Sequence, residues 1–140
     1  MAENQPTDEQ LRAQLADEFA ERLDMLEESG QVTKLARRLT ELSLADLASQ
    51  LGLRPTEDNA AQFVTHLAIA LTRINRGDPE ITVSPVAVEE IADRHRERAA
   101  VTRVMRDCSR LLQRDVPESE IAYMTVHLSA MVDLHAGSGQ

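Results

Sequence analysis

Apolar residues recur at steps of three or four along almost the whole chain, which is the spacing of one face of an α-helix. The first such run contains Leu11, Leu15, Phe19, Leu23 and Leu26. Alternation of apolar and polar residues, the pattern of a half-buried strand, is limited to residues 80–83. The periodicity therefore predicts an all-α protein.

Capping residues, glycines and prolines divide this pattern into five predicted helices. In chain order, the residues that mark the start and end of each predicted helix are Thr7 to Gly30, Val32 to Gly52, Thr56 to Gly77, Ser84 to Leu111, and Pro117 to Met131. Short connections favour antiparallel neighbours. The expected architecture is a five-helix bundle of antiparallel helix pairs.

The length of 140 residues fits one domain. We expect a flexible N-terminus at residues 1–7, a helical domain at 8–134 and a flexible tail at 135–140. The single Cys108 permits no intrachain disulfide, which favours a reducing compartment. No signal peptide and no apolar segment long enough to span a bilayer is recognisable. These features predict a cytoplasmic protein without membrane contact.

Charge is distributed unevenly around a formal net charge of −9, and this acidic balance argues against direct nucleic-acid binding. Residues 1–30 contain nine acids and two arginines, whereas residues 94–114 contain seven arginines and two acids. Four of the arginines lie at steps of three and four and form a basic stripe: Arg103, Arg106, Arg110 and Arg114. The stripe is either a solvated face or a docking surface. Our preferred occupant is the acidic first helix of a second subunit, and another acidic protein is the alternative.

Two histidines lie among apolar residues on different predicted helices. His66 has Asn59 seven residues before it and Arg73 seven residues after it, so the three share one helix face and Arg73 lies roughly 10 Å along the axis. His127 shares a face with Tyr123 and with Glu120. Either histidine alone is more often a structural residue than a functional one.

Several chemistries fit these residues poorly. A metal site of the helical-bundle type requires a carboxylate or histidine three or four residues from each ligand, and His66 has none. Acyl transfer requires an activated nucleophile, but Cys108 lies in an apolar row and no glycine-rich elbow is present. Phosphoryl acceptance remains open, because a neutral imidazole is a nucleophile and Arg73 could pair with the new charge. We predict no cofactor, no metal and no enzymatic activity.

Two segments carry a resemblance to a known family: residues 59–74, which read NAAQFVTHLAIALTRI, and residues 117–128, which read PESEIAYMTVHL. They resemble the two histidine motifs of the PTS regulation domain (PRD), and the similarity extends over about residues 8–134. The resemblance implies a five-helix, dimeric, regulatory domain. It would be phosphorylated on His66 and His127 by a phosphocarrier protein or a sugar-specific component of the phosphotransferase system. Arg73 stands at the family's arginine, and we assign phosphate-supporting roles to Arg73 and Asn59.

The sequence also departs from the family pattern. Many relatives have an acid immediately before the first histidine, where this chain has Thr65. Relatives usually carry paired copies joined to a nucleic-acid-binding output, whereas this sequence contains one copy. We expect a stand-alone member that acts in trans on another regulator or enzyme and so controls a carbohydrate-utilisation operon. The alternatives are an unphosphorylated dimeric adaptor with structural histidines and a histidine-lined metal-binding bundle.

Overall fold

The computed structural model describes residues 7–138, and every regular element in this part is α-helical. The helices are α1 (Asp8–Glu18), α2 (Ala20–Glu28), α3 (Lys34–Leu51), α4 (Glu57–Arg76), α5 (Pro85–Glu90), α6 (His95–Leu112) and α7 (Glu118–Ser138). The all-α prediction is confirmed. The predicted count of five helices is wrong, because the first and fourth predicted helices are each divided in two, giving seven within the described residues.

Phe19 divides the first predicted helix. Its backbone leaves the helical region at φ −105° and ψ 12°, and its N–H donates to the carbonyls of Leu15 and Asp17 at the end of α1. The side chain is fully buried, so the turn occurs where an aromatic ring enters the core. Apolar spacing continues across this residue, which explains why periodicity does not reveal the break.

The fourth predicted helix is divided at residues 91–94. Ile91 ends α5 with φ −103° and is itself buried. Arg94, immediately before α6, donates to the Ser129 carbonyl and to the Asp133 carboxylate on α7, both at 2.8 Å. Attachment of this segment to α7 therefore sets the direction in which α6 begins. Val88 on α5 is exposed.

Three of the predicted helix boundaries are confirmed. Thr7 and Gln10 form a reciprocal capping box at the start of α1, and Thr56 caps α4. Gly77 ends α4 in the left-handed conformation at φ 71°, which glycine adopts without a side-chain penalty. Residues 78–84 between α4 and α5 contain no regular element.

The core lies between α3, α4, α6 and α7. Helix α4 packs against α3 and against α7, and α6 packs against α3 and α7. The fully buried side chains of these helices include Leu44, Leu47, Val64, Leu67, Leu71, Val101, Met105, Met124 and Leu128. Pairing of α4 with α7 is the feature that matters for the site, because His66 lies on the first helix and His127 on the second.

The ends of the domain fall partly outside the described residues. The predicted flexible N-terminus at residues 1–7 lies outside them except for Thr7. Helix α7 extends to Ser138, into the segment predicted as a flexible tail. No described helix combines the length and apolar character needed to cross a membrane.

Candidate functional site

The imidazole rings of His66 and His127 are stacked on one another. Their centroids lie 3.9 Å apart and their planes are inclined by 18°. Both residues are half-buried. Two histidines that are 61 positions apart in sequence thus form one cluster, because the packed faces of α4 and α7 bring them together.

Tyr123 completes the cluster from one turn before His127 on α7. Its hydroxyl oxygen is hydrogen-bonded to Nδ1 of His66 at 2.7 Å. Its ring meets the His127 ring edge to face, with centroids 4.5 Å apart. Tyr123 therefore orients both imidazoles. Within residues 7–138, this hydrogen bond is the only one made by a ring nitrogen of His66 or His127.

Both imidazoles are held in the neutral state at physiological pH. Burial lowers the pKa of His66, and the positive charge of Arg73 lowers it further. Burial and then the neighbouring His66 ring lower the pKa of His127 to about 4. A neutral imidazole retains a nitrogen lone pair, so both rings have the protonation state that a nucleophile or a ligand requires.

Arg73 joins the cluster to a buried acid. Its guanidinium donates two parallel hydrogen bonds to Glu120, from Nε at 3.0 Å and from Nη2 at 2.9 Å. Glu120 is 2% exposed. The guanidinium carbon also lies 5.2 Å from the centroid of the Tyr123 ring. Hydrogen bonding to Glu120 raises the pKa of Arg73 above its usual value, so the site has a permanent positive charge beside two neutral rings.

Asn59, predicted to lie on the same face as His66, is engaged at the start of α4. Its Oδ1 accepts from the Thr56 N–H at 2.8 Å, and its Nδ2 donates to the Arg54 carbonyl at 3.2 Å. Its observed contacts are therefore those of a helix cap.

Thr65, the residue before the first histidine, contacts an arginine. Arg22 on α2 donates to the Thr65 hydroxyl at 3.1 Å and forms an ion pair with Glu57 at 2.9 Å. The Arg22 guanidinium of α2 is thus held against α4 at Thr65, the residue that precedes His66.

The stacking geometry is unfavourable for a shared metal ion. Imidazole lone pairs lie in the plane of each ring, so nearly parallel stacked rings direct them side by side rather than toward one point. Across the described part of the chain, no group of three or more His, Cys, Asp or Glu residues is arranged to hold a metal ion.

The arginines of the basic stripe do not reach the histidine cluster. Arg103 and Arg106 are exposed on α6, and Arg110 forms an ion pair with Asp107. Arg114 lies beyond α6 and donates from Nε to the Asn75 carbonyl. Arg110 and Arg114 line a cavity of about 620 Å³ that extends to the Arg73–Glu120 pair.

Two contacts in the site were not foreseen from the sequence. Tyr123 and Glu120 were placed beside His127 by helical spacing, but their partners His66 and Arg73 lie on α4. Helical spacing reports neighbours within one helix only. A signal for the second contact is nevertheless present, since an arginine and a glutamate both lie next to largely apolar helix faces.

A family model for the PRD domain matches residues 42–131. This chain belongs to the PRD domain family. The matched span contains α4, α5 and α6 entirely, and it leaves out α1 and α2. It includes both stacked histidines, Arg73, Glu120 and Tyr123. PRD domains are regulatory rather than catalytic modules and are controlled by the phosphotransferase system. No curated protein and no solved structure matches the chain.

Proposed function

We propose that this PRD domain is phosphorylated on His66 and His127 by components of the sugar phosphotransferase system. Phosphorylation would alter its association with a second copy or with another regulator, and so control transcription of a carbohydrate-utilisation operon. The observation that carries the proposal is the half-buried stack of two neutral imidazoles beside Arg73. Within residues 7–138 the His127 side chain makes no hydrogen bond, whereas Nδ1 of His66 is bonded to Tyr123.

Tyr123 has a positioning role in this proposal. When the Tyr123 oxygen accepts from Nδ1–H of His66, the lone pair of that ring is placed on Nε2, the nitrogen free to attack phosphorus. The burial that lowers the pKa of both histidines keeps them unprotonated. Nucleophilic strength is therefore supplied by the environment without a separate general base.

Arg73 supports the product. A phosphoryl group adds about −1.5 to −2 charges and three acceptor oxygens, and Arg73 is the guanidinium whose charge acts on His66. Arg73 is bound to Glu120 in the unmodified protein, so the phosphoryl group competes with Glu120. This competition connects modification to the packing of α4 against α7. The supporting role predicted for Asn59 would require release of its cap.

The test is intact-mass analysis at neutral or alkaline pH after incubation with phosphoenolpyruvate and the general phosphotransferase proteins. We expect the wild-type protein to gain phosphate and the His66→Gln/His127→Gln variant to gain none. His95→Gln is the matched control, because His95 is exposed on α6 away from the cluster. Absence of any gain, also with a set of sugar-specific phosphocarriers, would instead identify an unphosphorylated adaptor with structural histidines.

A further inference from the structure

We propose that the stacked His66–His127 pair is a single-capacity site, in which either ring can accept a phosphoryl group but the first group excludes a second. The inference rests on the proposed function and specifies its regulation. It follows from the juxtaposition of two imidazole faces with centroids 3.9 Å apart beside one arginine.

Charge opposes double occupancy. The two rings are stacked with centroids 3.9 Å apart. Two phosphoryl groups carrying about −1.5 to −2 charges each, one on each ring, would therefore repel one another at short range. In the part of the chain that the structure describes, the one guanidinium acting on the rings is Arg73, and Glu120 already binds it.

The first phosphoryl group also removes the nucleophile of the second ring. A dianion in contact with an imidazole stabilises the protonated ring. An imidazolium ion has no free lone pair and donates hydrogen bonds from both nitrogens. Tyr123 from α7 and Arg73 from α4 lie beside the pair, with Glu120 bound to Arg73. The remaining histidine thereby changes from an acceptor of phosphate into its hydrogen-bond donor.

Transfer of the phosphoryl group requires only the donor and the acceptor ring. The lone pair of Nε2 on a neutral acceptor ring attacks phosphorus, and the bond between phosphorus and the donor's leaving atom breaks with its electron pair on that atom. When the donor is a protonated phosphohistidine, it leaves as a neutral imidazole. The acceptor becomes a phosphoimidazolium that retains its Nδ1 proton, and in His66 this N–H can donate to the Tyr123 oxygen.

The experiment uses potassium phosphoramidate, a small reagent that phosphorylates imidazole nitrogens without an enzyme. The parent protein carries His95→Gln and His135→Gln, so that His66 and His127 are the remaining histidines of the chain. Intact mass is followed at neutral pH until it no longer changes. Three further proteins in the same background carry His66→Gln, His127→Gln or both substitutions.

We expect the parent to stop at one phosphoryl group, each single variant to accept one, and the variant lacking both rings to accept none. A parent that takes up two groups overturns the proposal, and this readout does not depend on the folding of any site variant. Loss of all uptake in either single variant overturns it as well, because the two rings then do not share one site. Absence of uptake by the parent has the same consequence.

The chemical reagent separates this inference from the proposed function. Single uptake from phosphoramidate, without uptake from the phosphotransferase proteins, would retain the single-capacity site and remove the proposed phosphodonor. Uptake of two groups from those proteins would retain the donor and remove the single capacity.

Discussion

Tyr123 and Arg73 hold the two histidines in one environment, although they reach the pair differently. Tyr123 is hydrogen-bonded to His66, and its ring contacts the His127 ring edge to face. Arg73 supplies the positive charge that helps to lower the pKa of His66. Because His66 lowers the pKa of His127, a substitution at Arg73 or Tyr123 that alters His66 also alters His127. The useful tests at this scale therefore remove one atom or one charge at a time.

Removal of the Tyr123 hydroxyl by Tyr123→Phe tests the positioning role. We expect the free energy of unfolding to fall by about 1 kcal/mol, the usual contribution of one hydrogen bond. The ¹⁵N chemical shifts of His66 should change from one dominant tautomer, protonated at Nδ1, to a mixture. Phosphate uptake by His66 should slow while uptake by His127 persists. Unchanged ¹⁵N shifts would show that Tyr123 does not select the tautomer.

The pH dependence of stability tests the neutral state of the rings. Burial and His66 lower the pKa of His127 to about 4, whereas an unfolded histidine titrates near about 6.5. The unfolded chain therefore binds protons first as the pH falls. The stabilisation is complete above about pH 6.5 and is lost progressively toward about pH 4.

Between about pH 7.5 and pH 5 we expect the free energy of unfolding to decrease by about 1 to 2 kcal/mol through His127, less than for a fully buried ring because solvent screens it partly. Denaturant titrations at the two pH values measure the difference. The His127→Gln variant is the control, and it should lose most of this pH dependence. An equal dependence in both proteins would show that other groups cause it.

Among the helices, the Arg73–Glu120 ion pair connects the last turn of α4 to the first turn of α7. The pair is bidentate and its acid is buried. Removing one partner of a buried pair is more damaging than removing both, since an uncompensated charge is left behind. The same pair is the one that a phosphoryl group would disturb, so its energetics bear on signalling as well as on folding.

We expect Arg73→Met to lower the free energy of unfolding by about 3 kcal/mol, because the Glu120 carboxylate is left buried without a partner. Glu120→Gln should cost about 1 kcal/mol, since a neutral amide keeps one hydrogen bond to Arg73. The double variant Arg73→Met/Glu120→Leu should recover most of the loss. Urea titrations measure all three. A double variant that is no more stable than Arg73→Met would contradict this account.

For the molecule as a whole, the separation of charge suggests how two copies could associate. Asp17 and Glu21 are exposed in the acidic α1–α2 segment, and Arg103 and Arg106 are exposed on α6. Between these helices lies a groove of about 420 Å³ formed by α1, α3 and α6 and containing the exposed Leu111. We propose that a second copy of this chain packs over the groove with its acidic segment against the basic stripe, because Asp8 of that segment and Arg110 of the stripe line the groove and a two-fold axis could exchange the two surfaces.

Paired charge reversals test this association. Arg103→Glu/Arg106→Glu and Asp17→Lys/Glu21→Lys should each shift the protein to monomer in sedimentation velocity at low salt. An equimolar mixture of the two variants should restore the dimer, because one opposite-charge contact is reformed and the other is native. Lys34→Glu/Arg54→Glu changes the net charge equally at exposed sites and should leave the dimer intact. A monomeric wild-type protein, or a mixture that stays monomeric, would exclude this interface and favour an acidic phosphocarrier as the partner of the stripe.

The sequence by itself determined the helical class and several helix ends, and it singled out His66, His127 and Arg73 as candidate site residues. Helix periodicity, caps and glycine stops act over a few residues, so Thr7, Thr56 and Gly77 could be assigned from local pattern. The same local rules placed Arg73 with His66 and Tyr123 with His127. The breaks at Phe19 and at residues 91–94 could not be predicted, because burial of a ring and attachment of Arg94 to α7 decide them. The tertiary structure alone decided that the two histidines stack and that Arg73 binds Glu120, since both contacts join α4 to α7 and depend on how those helices pack.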